Sequence, residues 1–132
     1  MPLTRLQKTA LGLAGVTALV IGVSISLLPH LFYASYGVTL GDDPNLLSEL
    51  RAPGAGLALM GGLMVSGLFH PPLAAAGFGA AFAVYLGFPL GRIVGIALDG
   101  LPSGGILSAL AVEVLIAALL LVSVLRARVP LH

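Results

Sequence analysis

Two charged residues stand inside long apolar runs of this chain: Arg92 in "FPLGRIVGIALDG" (88–100) and Glu113 in "LAVEVLIAALL" (110–120). At a rise of 1.5 Å per residue, Arg92 is predicted to lie roughly 10 Å and Glu113 roughly 12 Å from the same end of their helices. One charge near the centre of a membrane costs roughly 2.5–3.5 kcal/mol on insertion scales. We therefore expect the two side chains to face the interior of the protein and to form an ion pair.

Four further polar residues are predicted to join this pair. Glu49 and Arg51 flank the start of the second long helix, Tyr85 lies two turns before Arg92, and Asp99 lies seven residues after it. Tyr85 and Asp99 are therefore predicted on the same helix face as Arg92, and Arg51, three residues before Gly54, is predicted to point along the ridge of its own helix. The candidate site is therefore a buried charged cluster in the outer half of the protein, made of Glu49, Arg51, Tyr85, Arg92, Asp99 and Glu113.

Three interpretations of this cluster stay open. It could be a salt-bridge network that fixes how the helices fit together, which is a matter of specificity more than of stability. It could be a polar pocket in which two arginines bind the carboxylate or phosphate of a small or lipid-like molecule. The cluster holds three acids and two bases, so one carboxyl group lacks a basic partner. Because burial favours the neutral form of a carboxyl group, this one could instead take up a proton during transport or catalysis.

Other kinds of chemistry find little support in the composition. The chain has no cysteine, which excludes disulfides and thiolate ligands, and its net charge of +1 suggests no nucleic-acid partner. His30 and His70 are predicted at opposite membrane surfaces, so they cannot share a metal or a haem. The sequence therefore predicts no catalytic residue, no metal site and no cofactor.

The elements that must position the cluster are long apolar segments. Only 8% of the 132 residues are charged and 58% are hydrophobic, whereas a soluble domain carries about 25% charged residues. Four apolar runs each approach the roughly 20 residues that a helix needs to cross a bilayer. The sequence therefore predicts an all-α, four-helix transmembrane bundle that forms a single domain over residues 1–132, with helices at about 6–28, 49–69, 73–98 and 105–125.

The segment between the first two long helices carries its own signals. Asp43 and Pro44 have the residue types of an N-cap and a first helical position. "PNLLSELR" (44–51) is therefore predicted to form a short interfacial helix. Pro53 would mark a kink or the true start of the spanning helix.

The positive charges indicate an orientation. Arg5 and Lys8 precede the first helix, and Arg126 and Arg128 follow the last one, while all five acids fall toward the opposite side. Basic residues favour the cytoplasmic side of a membrane. We therefore expect both termini in the cytoplasm and the chain in a bacterial inner membrane.

Small residues recur at every fourth position of each helix, and this spacing lets membrane helices approach closely. We therefore predict a tightly packed bundle. The four ridges are Ala10, Ala14, Ala18, Gly22 and Ser26; Gly54, Ala58, Gly62 and Ser66; Ala75, Gly79, Ala83, Gly87, Gly91 and Gly95; and Gly105, Ala109, Glu113 and Ala117.

Three motifs, "ELRAPGAGLALMGGL" (49–63), "GRIVGIALDGLP" (91–102) and "LAVEVLIAALL" (110–120), follow one another in the chain. In this order they resemble a family of small bacterial membrane proteins defined as domain of unknown function 4345. The resemblance implies a four-helix fold and brings no agreed activity. A looser similarity to DoxX-like proteins rests on architecture alone. The family pattern emphasises Glu49, Arg51, Arg92, Gly95, Asp99, Gly100 and Glu113.

These observations predict a non-enzymatic membrane protein. It would bind a small amphipathic or lipid-like ligand in the outer-half cluster, or serve as an accessory subunit of a larger membrane complex. Its partners would be the lipid bilayer and, in an oligomer, further copies of the chain. The alternatives are a proton-coupled transporter that works as an oligomer, and an enzyme that acts on a lipid or quinone through Glu113 and Arg92.

Overall fold

The computed structural model describes residues 2–128 and has no strand among them. Four of its helices are long and apolar enough to cross a membrane, which confirms the predicted fold class. One turn of 3₁₀ helix joins the second and third of these long helices at Pro71–Leu73. The α-helices are α1 (Arg5–Leu27), α2 (Pro29–Ala34), α3 (Pro44–Phe69), α4 (Ala74–Asp99) and α5 (Gly104–Arg128).

Local sequence sets the start of α1 and of α3. The Thr4 hydroxyl accepts a hydrogen bond from the Gln7 N–H, and the Gln7 side chain accepts one from the Thr4 N–H. This capping box satisfies two N–H groups that the first turn of a helix leaves free. Asp43 caps α3 in the predicted way, since its carboxylate accepts a hydrogen bond from the Asn45 N–H at 2.9 Å.

The connection between α1 and α3 differs from the prediction. Residues 44–51 form no separate interfacial helix, because α3 runs unbroken from Pro44 through Pro53 to Phe69. A proline in a membrane helix is tolerated where neighbouring groups satisfy the carbonyl that it frees. The short helix α2 was not predicted, and it begins at Pro29, whose fixed φ suits a first helical turn.

The four long helices surround the core in the order α1, α3, α4, α5, with α1 also touching α4 across the middle. Helices α3 and α5 stand diagonally opposite, without contact in the described part of the chain. We call the end where α1 and α4 finish, and α3 and α5 begin, the α2 end. The most deeply buried side chains lie toward the other end, among them Leu11, Met64, Ala81 and Leu120.

Helices α1 and α3 pack closely because glycines lie where they meet. A Cβ added to Gly61 would lie 2.5 Å from the backbone nitrogen of Leu19, and one added to Gly22 would collide with the backbone of Ala58. The predicted close approach is correct for this pair of helices at Gly22, Gly54 and Ala58, but Gly61 was not in the predicted ridge and the predicted Gly62 borders open space. It is wrong for α4, where a Cβ at Gly87, Gly91 or Gly95 would meet no atom within 4 Å.

Large apolar side chains cover the outside of the bundle. Leu59, Leu98 and Leu115 are each more than two-thirds exposed, and they lie on three different helices. A water-soluble protein rarely exposes so extensive an apolar surface. The chain is therefore a multi-pass membrane protein whose outward-facing side chains suit contact with lipid.

Candidate ligand cavity

A cavity of about 1130 Å³ lies between the four long helices at the α2 end. Its wall includes residues from α2 and from the segment that connects α2 to α3, in addition to all four long helices. Most of the wall is apolar, as at Ile21, Leu57, Met60 and Phe88. In the described part of the chain, Arg92 and Glu113 are the charged residues of this wall.

The small residues of α4 and α5 make room for the cavity. Ala83, Gly87 and Gly91 line it from α4, and Gly105 and Ala109 line it from α5. These residues belong to the ridges that predicted close helix packing. Gly105 packs against the backbone of Ser35 and Tyr36, but Gly87 and Gly91 face a space and not a neighbouring helix, so the same pattern opens the bundle along α4. Sequence spacing alone cannot distinguish these two outcomes, since both need small residues on one face.

Arg92 and Glu113 form the predicted ion pair. The Arg92 Nε donates to both carboxylate oxygens of Glu113, at 3.0 Å and 2.9 Å, and the Nη2 group donates to Oε1 at 2.8 Å. Contacts through two donor groups hold the guanidinium and the carboxylate in a fixed relative orientation. The pair therefore joins α4 to α5 and presents no net charge to the cavity.

The predicted burial of this pair is wrong. The side chain of Arg92 keeps 23% of its accessible surface and that of Glu113 keeps 14%, so the ion pair is partly buried. The physical reason is the cavity beside it, which leaves one side of the pair without protein atoms. The described residues contain no buried charged cluster.

Tyr85 is the most buried polar residue of the cavity wall. Only 3% of it is exposed, and its hydroxyl donates a hydrogen bond of 2.6 Å to the backbone carbonyl of Ala14. This bond crosses from α4 to α1, so Tyr85 fixes the two helices that meet across the middle of the bundle. The structure places Tyr85 on the same cavity as Arg92, as predicted, and gives its hydroxyl a structural partner.

An aromatic group from α2 and the turn after it covers part of the cavity. The ring centroid of Phe32 lies 5.2 Å from that of Tyr33 and 5.0 Å from that of Tyr36, in edge-to-face arrangements. Phe32, Tyr33 and Tyr36 were not among the predicted site residues. The close spacing of these residues in a helical turn, which brings the three rings together, was the sequence signal that could have identified them.

Burial and the charges of the ion pair both act on the pKa values of the two cover tyrosines. Burial raises the pKa of Tyr36, the positive charge of Arg92 opposes this shift, and the negative charge of Glu113 adds to it. Burial also raises the pKa of Tyr33, with a further contribution from Tyr36, and Arg92 again opposes the shift. Both hydroxyls are therefore protonated at neutral pH.

Three contacts hold the cover in place. The Ser103 hydroxyl, just before α5, donates a hydrogen bond of 2.7 Å to the backbone carbonyl of Tyr36. The His30 Nε2 lies 2.6 Å from the backbone oxygen of Gly41 and 3.6 Å from a carboxylate oxygen of Asp42. The segment between α1 and α3 is thus fastened both to itself and to the start of α5.

The other three charged residues of the predicted cluster lie outside the cavity wall. Glu49 and Asp99 are exposed, and neither forms a salt bridge within residues 2–128. Arg51 is also exposed, and its Nη1 donates to the backbone carbonyl of Ser26. That carbonyl belongs to the last turn of α1, where helical donors are missing, so Arg51 caps α1 and joins it to α3.

Among the described residues, no group of three or more histidine, cysteine, aspartate or glutamate side chains could hold a metal ion. The arrangement consists of a large apolar space, one neutral ion pair and several tyrosine hydroxyls. Such a wall suits noncovalent binding of a molecule that is mostly apolar and has one polar end.

Comparison with known proteins identifies a family and adds no activity. Neither the curated proteins nor the solved structures gave a match. The family described as Domain of unknown function (DUF4345) matches residues 6–124, which is nearly the whole chain and includes every residue of the cavity wall. The chain belongs to this DUF4345 family.

Proposed function

We propose that this protein binds a small amphipathic or lipid-like molecule in the cavity at the α2 end. The observation that carries the proposal is the cavity itself, a space of about 1130 Å³ whose apolar wall contains a single ion pair, Arg92 with Glu113. Pockets for drug-sized ligands typically occupy about 300–1,000 Å³. A cavity somewhat above this range suits a ligand with a long apolar part.

The state of Glu113 favours binding over catalysis or proton transport. A general acid or base must be able to exchange a proton with its substrate. Both oxygens of Glu113 instead accept hydrogen bonds from Arg92, so the carboxylate is engaged with its partner on α4 and not presented freely to the cavity. The wall residues also cluster toward the α2 end, while the opposite half of the bundle is filled by core side chains such as Leu11, Met64 and Leu120.

We further propose that both termini face the cytoplasm of a bacterial cell and that the cavity lies in the outer half of the inner membrane. Arg5 and Lys8 at the start of α1 lie at the same end of the bundle as Arg126 and Arg128 at the end of α5. This grouping of basic residues supports the orientation. Because the chain has no cysteine, single cysteines introduced at either end can be labelled from one side of the membrane to test it.

A matched pair of glycine variants tests ligand binding. Gly91 and Gly95 lie one turn apart on α4, and a Cβ at either position would meet no atom within 4 Å, but only Gly91 lines the cavity. Gly91→Leu should fill part of the cavity, whereas Gly95→Leu makes the same chemical change outside it. Both variants replace a glycine in a helix, so their effects on helix propensity should be similar.

The measurement is native mass spectrometry of protein extracted gently from its own membrane. We expect the wild type and Gly95→Leu to retain an amphiphilic molecule of defined mass, and Gly91→Leu to lose it while keeping its helical circular dichroism. Equal retention by the two variants would refute the cavity as the binding site. A co-purifying protein in place of a small molecule would favour the accessory-subunit function instead.

A further inference from the structure

The hydrogen bonds around the ion pair define what the polar end of a ligand would meet. Arg92 donates three hydrogen bonds to the two oxygens of Glu113. The pair as a whole is neutral because it joins one positive and one negative charge. The Nη1 group of Arg92 forms no hydrogen bond with any residue in the range 2–128. Arg92 therefore retains donor capacity, because a guanidinium has five N–H groups.

The cover adds donors to the same region. The hydroxyls of Tyr33 and Tyr36 form no hydrogen bond within residues 2–128, and both rings line the cavity with Arg92. The unused groups near the pair thus include the Nη1 donors of Arg92 and two tyrosine O–H donors, and the pair beside them carries no net charge.

A charged head group would have to compete with the pair. An anion at the free Nη1 group would meet a pair whose charge Glu113 already neutralises, and it could gain the full charge of Arg92 only by displacing Glu113, which would leave a carboxylate unpaired in a mostly apolar wall. A cation would displace Arg92 from Glu113 with the same kind of cost. Breaking a partly or fully buried pair from one side is costly because the remaining charge keeps its desolvation penalty. An uncharged acceptor group can use the free donors and leave the pair intact.

We infer that the ligand of this cavity is an uncharged amphiphile whose polar end accepts hydrogen bonds through ketone, ester or amide oxygens. The inference rests on the proposed binding function and specifies its ligand class. The apolar part of the ligand would lie along α1 and α3, against side chains such as Ile21, Leu57 and Met60. The polar end would meet Arg92 and the two tyrosine hydroxyls.

The test is a competition between two probes with the same acyl chain. Delipidated wild-type protein in detergent is mixed with equal amounts of 1-oleoylglycerol, which is uncharged, and oleoyl lysophosphatidate, which is anionic. Native mass spectrometry counts the two complexes. We expect the uncharged probe to be retained about tenfold more, a factor that corresponds to about 1.4 kcal/mol. Equal retention, or a preference for the anionic probe, would overturn the inference.

The chain supplies an independent optical signal for the same experiment. It has no tryptophan and three tyrosines, and all three, Tyr33, Tyr36 and Tyr85, line the cavity. Its intrinsic fluorescence therefore comes from the wall of the proposed site. Titration with each probe should change tyrosine emission at a lower concentration of the uncharged probe.

A pair of charge variants tests the reason for the preference. Glu113→Gln removes the negative charge that neutralises Arg92, whereas Asp99→Asn removes the same charge from an exposed residue outside the cavity. We expect Glu113→Gln to shift the ratio of retained probes toward lysophosphatidate by about tenfold, and Asp99→Asn to leave it unchanged. If Glu113→Gln folds and its ratio stays at the wild-type value, neutralisation by Glu113 is not the cause and the inference is refuted.

The outcomes separate the inference from the function on which it rests. Retention of neither probe by the wild type, with no amphiphile recovered from the native membrane, would refute binding in the cavity altogether. Retention that Gly91→Leu abolishes, combined with preference for the anionic probe, would leave binding in place and refute the uncharged ligand class. Should Glu113→Gln not fold, the wild-type competition decides the inference by itself.

Discussion

The ion pair between α4 and α5 predicts a strong energetic coupling between two residues. The perturbations are Arg92→Met, Glu113→Leu and the double variant, each of which replaces a charged side chain by an apolar one of similar length. Removing one partner leaves the other charge unpaired in a wall that is largely apolar. Removing both leaves no charge to desolvate, so the double variant should be less harmful than either single change suggests.

The structure sets the magnitude. Removing one member of a fully buried pair costs about 3–5 kcal/mol, and the side chains here are 23% and 14% exposed, so we expect a smaller cost of about 2 kcal/mol for each single variant. The double variant loses the hydrogen bonds between α4 and α5 and gains apolar contact, for a net cost of about 1 kcal/mol. The expected coupling is therefore about 3 kcal/mol, at the upper end of values for residues in contact.

The assay is reversible unfolding of the four proteins in mixed micelles. The mole fraction of a denaturing detergent is raised while circular dichroism follows the loss of helix, and each midpoint gives a free energy of unfolding. Asp99→Asn serves as the control, because its carboxylate is exposed and outside the pair. If the cost of the double variant equals the sum of the two single costs, the residues do not act as a pair and the reasoning fails.

Three further predictions use the same unfolding assay. Gly61→Ala should destabilise the protein by about 1–3 kcal/mol, because its Cβ would meet the backbone of α1. Gly62→Ala has open space around it and should stabilise the helix by up to about 1 kcal/mol. Equal effects of the two variants would contradict the α1–α3 interface described above. Arg51→Met should cost about 1 kcal/mol of stability, because it removes the cap on α1, and it should leave ligand retention unchanged. A loss of retention in a folded Arg51→Met protein would show that Arg51 takes part in binding after all. The protein should lose stability above about pH 10, the usual pKa of tyrosine, because the pKa values of Tyr33 and Tyr36 are raised in the folded protein. Their contribution to the free energy of unfolding is fully present below the pKa of the unfolded chain and disappears as the pH rises through the pKa of the folded protein. Phe at both positions should flatten this part of a plot of melting temperature against pH.

The fold and the central pair were predictable from the sequence for a common reason. An apolar run of about 20 residues has few stable alternatives to a membrane-spanning helix. A charge inside such a run must find a partner, and only Glu113 stood at a depth that matched Arg92. The position of a charge along a helix was therefore sufficient to identify this contact, and the structure contains it.

The rest of the cluster could not be predicted in this way. Residues near the ends of helices have water and free backbone carbonyls as alternative partners, so their charges need not pair with one another. Arg51 takes the carbonyl of Ser26, while Glu49 and Asp99 stay exposed. Sequence position gives depth in the membrane but does not decide among these partners.

The large apolar wall of the cavity and its aromatic cover were missed for a different reason. Helix α2 is too short to show an apolar periodicity, and its position depends on contacts with distant parts of the chain such as the Ser103 bond to Tyr36. Whether a small residue faces another helix or an empty space depends on how far two helices diverge. That distance follows from the packing of the whole bundle and is absent from a single helical pattern.

The glycines of this protein fall into two groups. At some positions a larger residue would disrupt helix packing, and at others it would change only the shape of the cavity. Gly22 and Gly61 are held by backbone atoms of a neighbouring helix, whereas Gly87 and Gly91 border open space in the cavity wall. Mutations at the second kind of position change the volume of the cavity while the α1–α3 scaffold stays as it is. Homologous chains can therefore diverge in cavity volume by drift at α4 alone, with little cost in folding.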